Sequence, residues 1–118
     1  RMRDAVHVQI WRGPFLVLDV NAPSVERFVA ADPGLEETPL ASRLIVDQRA
    51  GARTLLFPEE VSGHVARHDA EYPLEELRAQ GHLRAEPEDC LVALPLQDGD
   101  EVVLSLGELR AVVTRSQV

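Results

Sequence analysis

The chain of 118 residues carries a formal net charge of −8, and 45% of its residues are hydrophobic while 27% are charged. This length and composition are typical of one globular domain, which we expect to cover residues 1–118. The negative charge disfavours a nucleic-acid-binding surface, which requires a basic patch, and it disfavours binding to anionic lipid. No apolar stretch approaches the roughly 20 residues of a membrane-spanning helix and no signal peptide is visible, so we expect a cytoplasmic protein.

Two strands joined by a tight turn are predicted near the start of the chain. Residues 5–12 alternate in polarity, which predicts a half-buried strand. Gly13 and Pro14 break this pattern, and the apolar run at residues 15–20 predicts a second strand. Two intervening residues favour a hairpin. The predicted core-facing residues of the first strand are Val6, Val8 and Ile10.

A short helix is predicted to follow the second strand. Pro23 suits the first turn of a helix, and Asn21 or Ser24 suits the N-cap position. The next apolar residues have the helical spacing i, i+3 and i+4, and residues 32–34 would end the helix. These apolar residues are Val25, Phe28 and Val29.

A second hairpin is predicted in the middle of the chain. Residues 44–46 and 54–57 are apolar, and Gly51 in the polar link between them suits a tight connection. Neither run alternates in polarity, so we expect both strands to be covered on both faces.

The last part of the chain predicts further short elements. A strand is expected at residues 64–67, and a helix is expected to begin near Pro73 and to end at Gly81. Residues 90–96 and 101–106 are apolar runs that flank Asp98-Gly99, so we expect them to pair as a hairpin. The single cysteine, Cys90, excludes an intrachain disulfide, and we expect it to be a small buried hydrophobe.

Together these patterns predict a mainly β protein with short helices (α+β), built as a small antiparallel SH3-like barrel or sandwich. We count six or seven predicted strands and two or three short helices. Turn signals recur every 8 to 12 residues or so, as such folds require.

The residues that could carry chemistry give weak signals. His64 and His68 have the i, i+4 spacing that would place two zinc ligands on one helical face, with Asp69 beside them. Their surroundings favour a strand or turn, where this spacing does not converge, and we expect surface histidines and no metal. Because phosphate-cradling and nucleophile motifs are absent, we expect no cofactor and no enzymatic activity.

Trp11, Arg12 and Gly13 suggest a protein-binding surface. Tryptophan and arginine are the residues most enriched at interface hot spots. Placed at a strand end beside Gly13-Pro14, they would form an exposed docking patch. The alternative, that Trp11 packs on the sheet while Arg12 is merely solvated, stays open.

The same residues resemble the chemotaxis coupling protein (CheW-like) family, shortened at the N-terminus. That family carries an Arg-Gly pair, an apolar run and then an aspartate, which Arg12-Gly13, residues 14–18 and Asp19 match. The resemblance extends to residues 44–63 and to the apolar run at 102–106. It implies an SH3-like barrel and a non-enzymatic adaptor that binds a chemoreceptor or a histidine kinase.

The expected partner-binding residues are therefore Arg12, Gly13 and Asp19 from the resemblance, with Trp11 and Phe15 from their chemistry. Two alternatives remain open. One is a small β-rich metal- or ligand-binding domain that uses His64, His68 and Asp69. The other is a self-associating subunit, such as a homodimer, that pairs through an exposed edge strand.

Overall fold

The computed structural model describes residues 4–22, 27–30, 40, 43–49, 51–86 and 90–117. In these ranges the chain forms eleven strands and the short helix α1. In chain order they are β1 (Asp4–Arg12), β2 (Phe15–Ala22), β3 (Arg27–Val29), β4 (Ile45–Arg49), β5 (Ala52–Pro58), β6 (Ser62–Arg67), β7 (Ala70–Pro73), α1 (Leu74–Ala79), β8 (Arg84–Glu86), β9 (Leu91–Pro95), β10 (Glu101–Leu106) and β11 (Leu109–Gln117).

The strands form two antiparallel sheets that share one core. The first sheet has the order β2-β1-β11-β10-β6-β7, and the second has the order β3-β4-β5-β9-β8. The prediction of a mainly β protein with short helices is confirmed, and the described strands form two open sheets rather than a closed barrel. The core contains buried residues of both sheets, including Val8, Ile10 and Val113 from the first and Leu55, Phe57 and Leu94 from the second.

The first two predicted hairpins, at residues 5–20 and 44–57, are confirmed. The core-facing residues of β1 have no solvent-exposed surface, as their alternation predicts. In the second hairpin β4 pairs with β5, and Gly51 in the connection has a φ of +78°. Every residue of β5 from Arg53 to Pro58 is buried, which confirms that this strand is covered on both faces.

The predicted helix at residues 25–29 is wrong where the structure describes it. Residues 27–29 form β3, in which Phe28 pairs with Val46 and Val29 pairs with Ile45. Residues 23–26 and 32–34 lie outside the described residues. A helical spacing of only three apolar residues does not outweigh pairing along a strand edge, which suits these large and β-branched side chains.

The predicted hairpin of residues 90–96 with 101–106 is also wrong. β9 lies between β5 and β8 in the second sheet, whereas β10 lies between β11 and β6 in the first. The Asp98-Gly99 turn does form, with Gly99 at a φ of +84° and the Asp100 N–H donating to the Gln97 carbonyl at 3.1 Å. This geometry is that of a type II turn. The turns that usually join hairpins, types I′ and II′, match the right-handed twist of two paired strands, whereas a type II turn does not.

Cys90 is exposed rather than buried, so that expectation is wrong as well. The residue has a φ of +52° and sits in the turn before β9. Its carbonyl accepts hydrogen bonds from the Glu59 N–H at 3.3 Å and from the Arg43 guanidinium at 2.9 Å. The buried part of the apolar run begins one residue later, at Leu91.

A buried ion pair fastens the segment that passes from the second sheet to the first. Arg67, at the end of β6, donates from Nε and Nη2 to the two carboxylate oxygens of Asp100, at 2.8 and 2.7 Å. Asp100 is fully buried and the Arg67 side chain is only 13% exposed. The hydrogen bonds to Asp100 raise the pKa of Arg67, although burial opposes them. Because the raised pKa belongs to a base, the contribution of the Arg67 charge is fully present below the unfolded-state pKa of arginine and is lost as the pH rises through the folded-state pKa, in strongly alkaline solution.

We expect Asp100→Asn to destabilise the fold by about 3 kcal/mol, because it leaves a largely buried guanidinium without its carboxylate. The measurement is the free energy of unfolding from urea titration. Asp98→Asn, the same change at an exposed position of the same turn, is the control and should change stability by less than about 0.5 kcal/mol. Equal effects of the two substitutions would contradict the role given to the ion pair.

Gly63 permits the close approach of β6 to β10. It pairs with Leu104, and a Cβ atom at this position would lie 1.9 Å from the carbonyl oxygen of Val103. Its φ of +156° is also unfavourable for other residues. A side chain here therefore separates the two strands.

We expect Gly63→Ala to cost about 3 kcal/mol or to prevent folding, because the clash is with the backbone of a central strand. Gly107→Ala is the matched control, since Gly107 has a positive φ of +60° but no atom within 4 Å of an added Cβ. That control should lose only the roughly 1–2 kcal/mol of a left-handed backbone. Thermal unfolding of both variants tests the difference, and similar losses would exclude the steric explanation.

Candidate functional site

The tip of the β1–β2 hairpin carries the two most exposed large hydrophobic residues of the described chain. Phe15 is 69% exposed and Leu16 is 43% exposed, and Val29 at 38% is the only other exposed large hydrophobic residue among those described. Full burial of one such side chain would gain roughly 1.5–3 kcal/mol. An aromatic ring left in water at a strand end is therefore a candidate contact residue.

The tip is held in place by its turn and by a neighbouring turn. Arg12 pairs with Phe15, which leaves Gly13 and Pro14 as the two connecting residues. Gly13 has a φ of +57°, as the first central residue of a type II′ hairpin turn requires. Its N–H donates to the Glu108 carbonyl at 3.3 Å, which ties the tip to the turn between β10 and β11.

On the outer face of the first sheet, Trp11 lies between Leu16 and Arg110. Trp11 pairs with Leu16 on β2 and with Arg110 on β11, so the three side chains form one row across three strands. The Arg110 guanidinium carbon lies 5.9 Å from the centroid of the Trp11 ring, within the range of a cation–π contact. Half-buried Trp11 thus both packs on the sheet and presents a surface beside exposed Leu16.

Arg12 and Phe15 lie on the opposite side of the tip. Neighbouring residues of a strand point to opposite faces, and Arg12 follows Trp11 directly. Arg12 is exposed and pairs with Phe15, which is also exposed. We call Trp11, Arg12, Phe15, Leu16 and Arg110 the hairpin-tip surface. The sequence-predicted contact residues thus wrap around a tip instead of sharing one face.

Asp19 is set apart from this surface. It pairs across the strands with Gln9, and its carboxylate contacts the His7 imidazole on the same outer face. The aspartate of the family-like motif therefore has a local partner on β1, and it lies beyond the row of Trp11 and Leu16.

The structure separates His64 from His68 and Asp69. His64 lies on β6 and its Nε2 is 3.9 Å from Glu71. His68 and Asp69 form the turn to β7, with φ values of +51° and +64°. Four residues of strand span about 13 Å, which is too far for a shared metal ion. Among the described residues, no three histidine, cysteine, aspartate or glutamate side chains are grouped as metal ligands would be.

His68 and Asp69 instead occupy a two-residue turn in which both residues have positive φ, as in type I′. Asparagine and glycine adopt this geometry more easily.

We expect the double substitution His68→Asn and Asp69→Gly to stabilise the fold by about 1 kcal/mol and to raise Tm by roughly 4 °C. His82→Asn at an exposed position serves as the control. A lower Tm of the double variant would contradict this expectation. If zinc raises the Tm of the wild-type protein but not that of the variant, these residues bind the metal instead.

A cavity of about 420 Å³ lies between the start of β6 and α1. Glu59, Glu75 and Arg78 contribute charges of both signs, and Val61 and Leu74 contribute apolar surface. Its size is within the range of small-molecule sites, but its lining contains no histidine or cysteine.

Within the described ranges, none of the helical segments has the length and hydropathy that crossing a bilayer requires.

The sequence reasoning missed Leu16 and Arg110 as members of the hairpin-tip surface. Leu16 belongs to an apolar run that predicts burial, and only its position at the tip of the strand exposes it. Arg110 lies about a hundred residues away from Trp11 in the chain, and only the register of β1 with β11 brings them together.

Comparisons of the chain with protein-family models, with curated proteins and with solved structures find no match. The resemblance to the chemotaxis coupling family therefore stays a hypothesis that rests on the motif residues themselves.

Proposed function

We propose that this protein is a non-enzymatic adaptor that binds a protein partner through the hairpin-tip surface. The observation that carries the proposal is the exposure of Phe15 and Leu16 beside Trp11 and two arginines. Such a combination of aromatic and arginine side chains is typical of interface hot spots. The motif resemblance suggests a chemoreceptor or a histidine kinase as the partner, in a chemotaxis-like pathway in the cytoplasm.

The geometry suits a contact that depends on a few anchors. The type II′ turn and the Gly13–Glu108 hydrogen bond hold the tip in one conformation, which reduces the ordering cost of binding. Phe15 and Leu16 can each insert into a partner pocket from opposite sides of the tip. Arg12 and Arg110 add guanidinium groups that can bind carboxylates in a bidentate manner. The anchors are thus few, preorganised and accessible.

We expect Phe15→Ser and Arg12→Ala each to weaken partner binding at least tenfold while Tm stays within about 2 °C of the wild type, because both side chains are exposed. The measurement is calorimetric titration with the cytoplasmic part of a chemoreceptor and with the histidine kinase of the same host.

The matched controls lie in the second sheet, where Val29→Ser and Arg84→Ala change an exposed hydrophobe and an exposed arginine. They should bind as the wild type does. Unchanged binding by the two tip variants would refute the assigned surface. Failure of the wild-type protein to bind either partner would refute the proposed pathway, and unfolding of the Arg12 variant would assign that residue a structural role.

A further inference from the structure

The two outer strands of the first sheet differ in how well they are protected against pairing with another chain. β7 has only four residues, carries Glu71 and ends at Pro73, after which the chain turns into α1. Short length, charge and proline are the usual ways in which proteins blunt a sheet edge. This edge is therefore poorly suited to pairing with a further strand.

β2 lacks most of these protections. It is eight residues long, contains no proline and carries one charged residue, Asp19, whose carboxylate is engaged by His7. β2 does have one interruption. Its register with β1 shifts between Ile10 and Trp11, so Val17 has no paired residue on β1. Among the residues that the structure describes, β1 is the only strand that pairs with β2. Its outer side presents backbone groups that an extended chain could pair with.

We infer that β2 accepts an extended segment of the partner protein as a seventh strand of the first sheet. This inference rests on the proposed function and specifies how the partner binds. Strand addition supplies affinity through backbone hydrogen bonds, while side-chain pockets and charges supply specificity. The exposed anchors Phe15 and Leu16 lie at the start of the same strand, so one partner segment would contact both the tip and the edge.

The charges at the tip indicate the chemistry of this segment. Arg12 lies opposite Phe15 at the start of β2, and it has no ion-pair partner among the described residues. A segment that runs antiparallel to β2 would bring its C-terminal end to this place. The segment should therefore alternate apolar and polar residues and carry an acidic residue near its C-terminal end, where a guanidinium can bind it.

A second copy of this chain fits β2 less well than a different protein does. In a symmetric antiparallel pair that uses most of β2, Asp19 lies close to the two-fold axis, so two carboxylates would face each other on the same side. Like charges across paired strands are destabilising. Each copy also carries a net charge of −8, which opposes association further. The self-associating alternative is thus disfavoured at this edge.

Amide hydrogen exchange of the free protein, followed by NMR, tests whether the edge is open. From residue 18 to residue 21, every second amide of β2 should exchange at least a hundredfold more slowly than its neighbours, because alternate N–H groups face β1 and solvent. The matched control is β1, which has strands on both sides and should be protected at every residue. Uniform protection of β2 in the free protein would mean that its edge is already covered and would overturn the inference.

Selection of random twelve-residue peptides displayed on phage tests the occupant. We expect the selected peptides to alternate in polarity, to lack proline in the middle and to carry acidic residues towards the C-terminal end. Their affinity should fall at least tenfold with Arg12→Ala, and the exchanging amides of β2 should become protected when they bind.

The outcomes separate the binding mode from the proposed function. Peptides that lose affinity with Phe15→Ser but leave the β2 amides unprotected would support the hairpin-tip surface and refute strand addition. A selection that yields no binder, or binders that respond to neither substitution, would refute both. A dimer of the free protein in sedimentation at micromolar concentration, with protected β2 amides, would identify a second copy as the occupant and overturn the inference.

Discussion

The pair formed by Arg67 and Asp100 is the interaction on which the arrangement of the two sheets depends. It joins the end of β6 to the segment that leaves β9 in the second sheet and enters β10 in the first. A buried carboxylate is tolerated only if its hydrogen-bonding capacity is met, and Asp100 also accepts the Gln97 N–H at 2.8 Å. The backbone of Arg115 on β11 bonds the same segment, donating to the Asp100 carbonyl and accepting from the Gly99 N–H. Side chains and backbone of the first sheet thus hold this segment, and the Leu96 N–H ties its start to the second sheet by donating to the Arg53 carbonyl at 2.8 Å.

The position of the segment between β9 and β10 determines which strands lie at the edges of the first sheet. With β10 inserted between β6 and β11, and β11 beside β1, the N-terminal hairpin forms one end of the first sheet. β1 is then central and buried on its inner face, while β2 stays at the edge. The most exposed apolar residues of the described chain follow from this position, because the hairpin tip extends past the shared core. The proposed interaction surface is therefore a consequence of topology as much as of residue type.

A binding surface of this kind needs no deep pocket. Its parts are an accessible aromatic ring, a leucine beside a tryptophan, and two arginines, of which Arg12 adjoins the Gly13-Pro14 turn and Arg110 lies on β11. In the proposed contact each residue type would contribute differently: the apolar groups would supply affinity through burial, and the guanidiniums would supply orientation. The acidic character of the whole chain, in contrast to the two arginines at the tip, favours a partner segment whose acidic groups meet this tip and not the rest of the surface.

The sequence by itself determined the elements whose signal is local. Polarity alternation identified β1, Gly13-Pro14 and Gly51 identified two hairpins, and Pro73 with Gly81 bounded α1, because turn chemistry and side-chain period act over a few residues. The tertiary structure alone decided what depends on distant pairing. It placed residues 27–29 on the edge of a sheet instead of in a helix, sent β9 and β10 to different sheets, and set Arg110 over Trp11. A short apolar segment suits several neighbours almost equally, and only the full set of pairings, with the buried Arg67–Asp100 contact at the crossing, selects one of them.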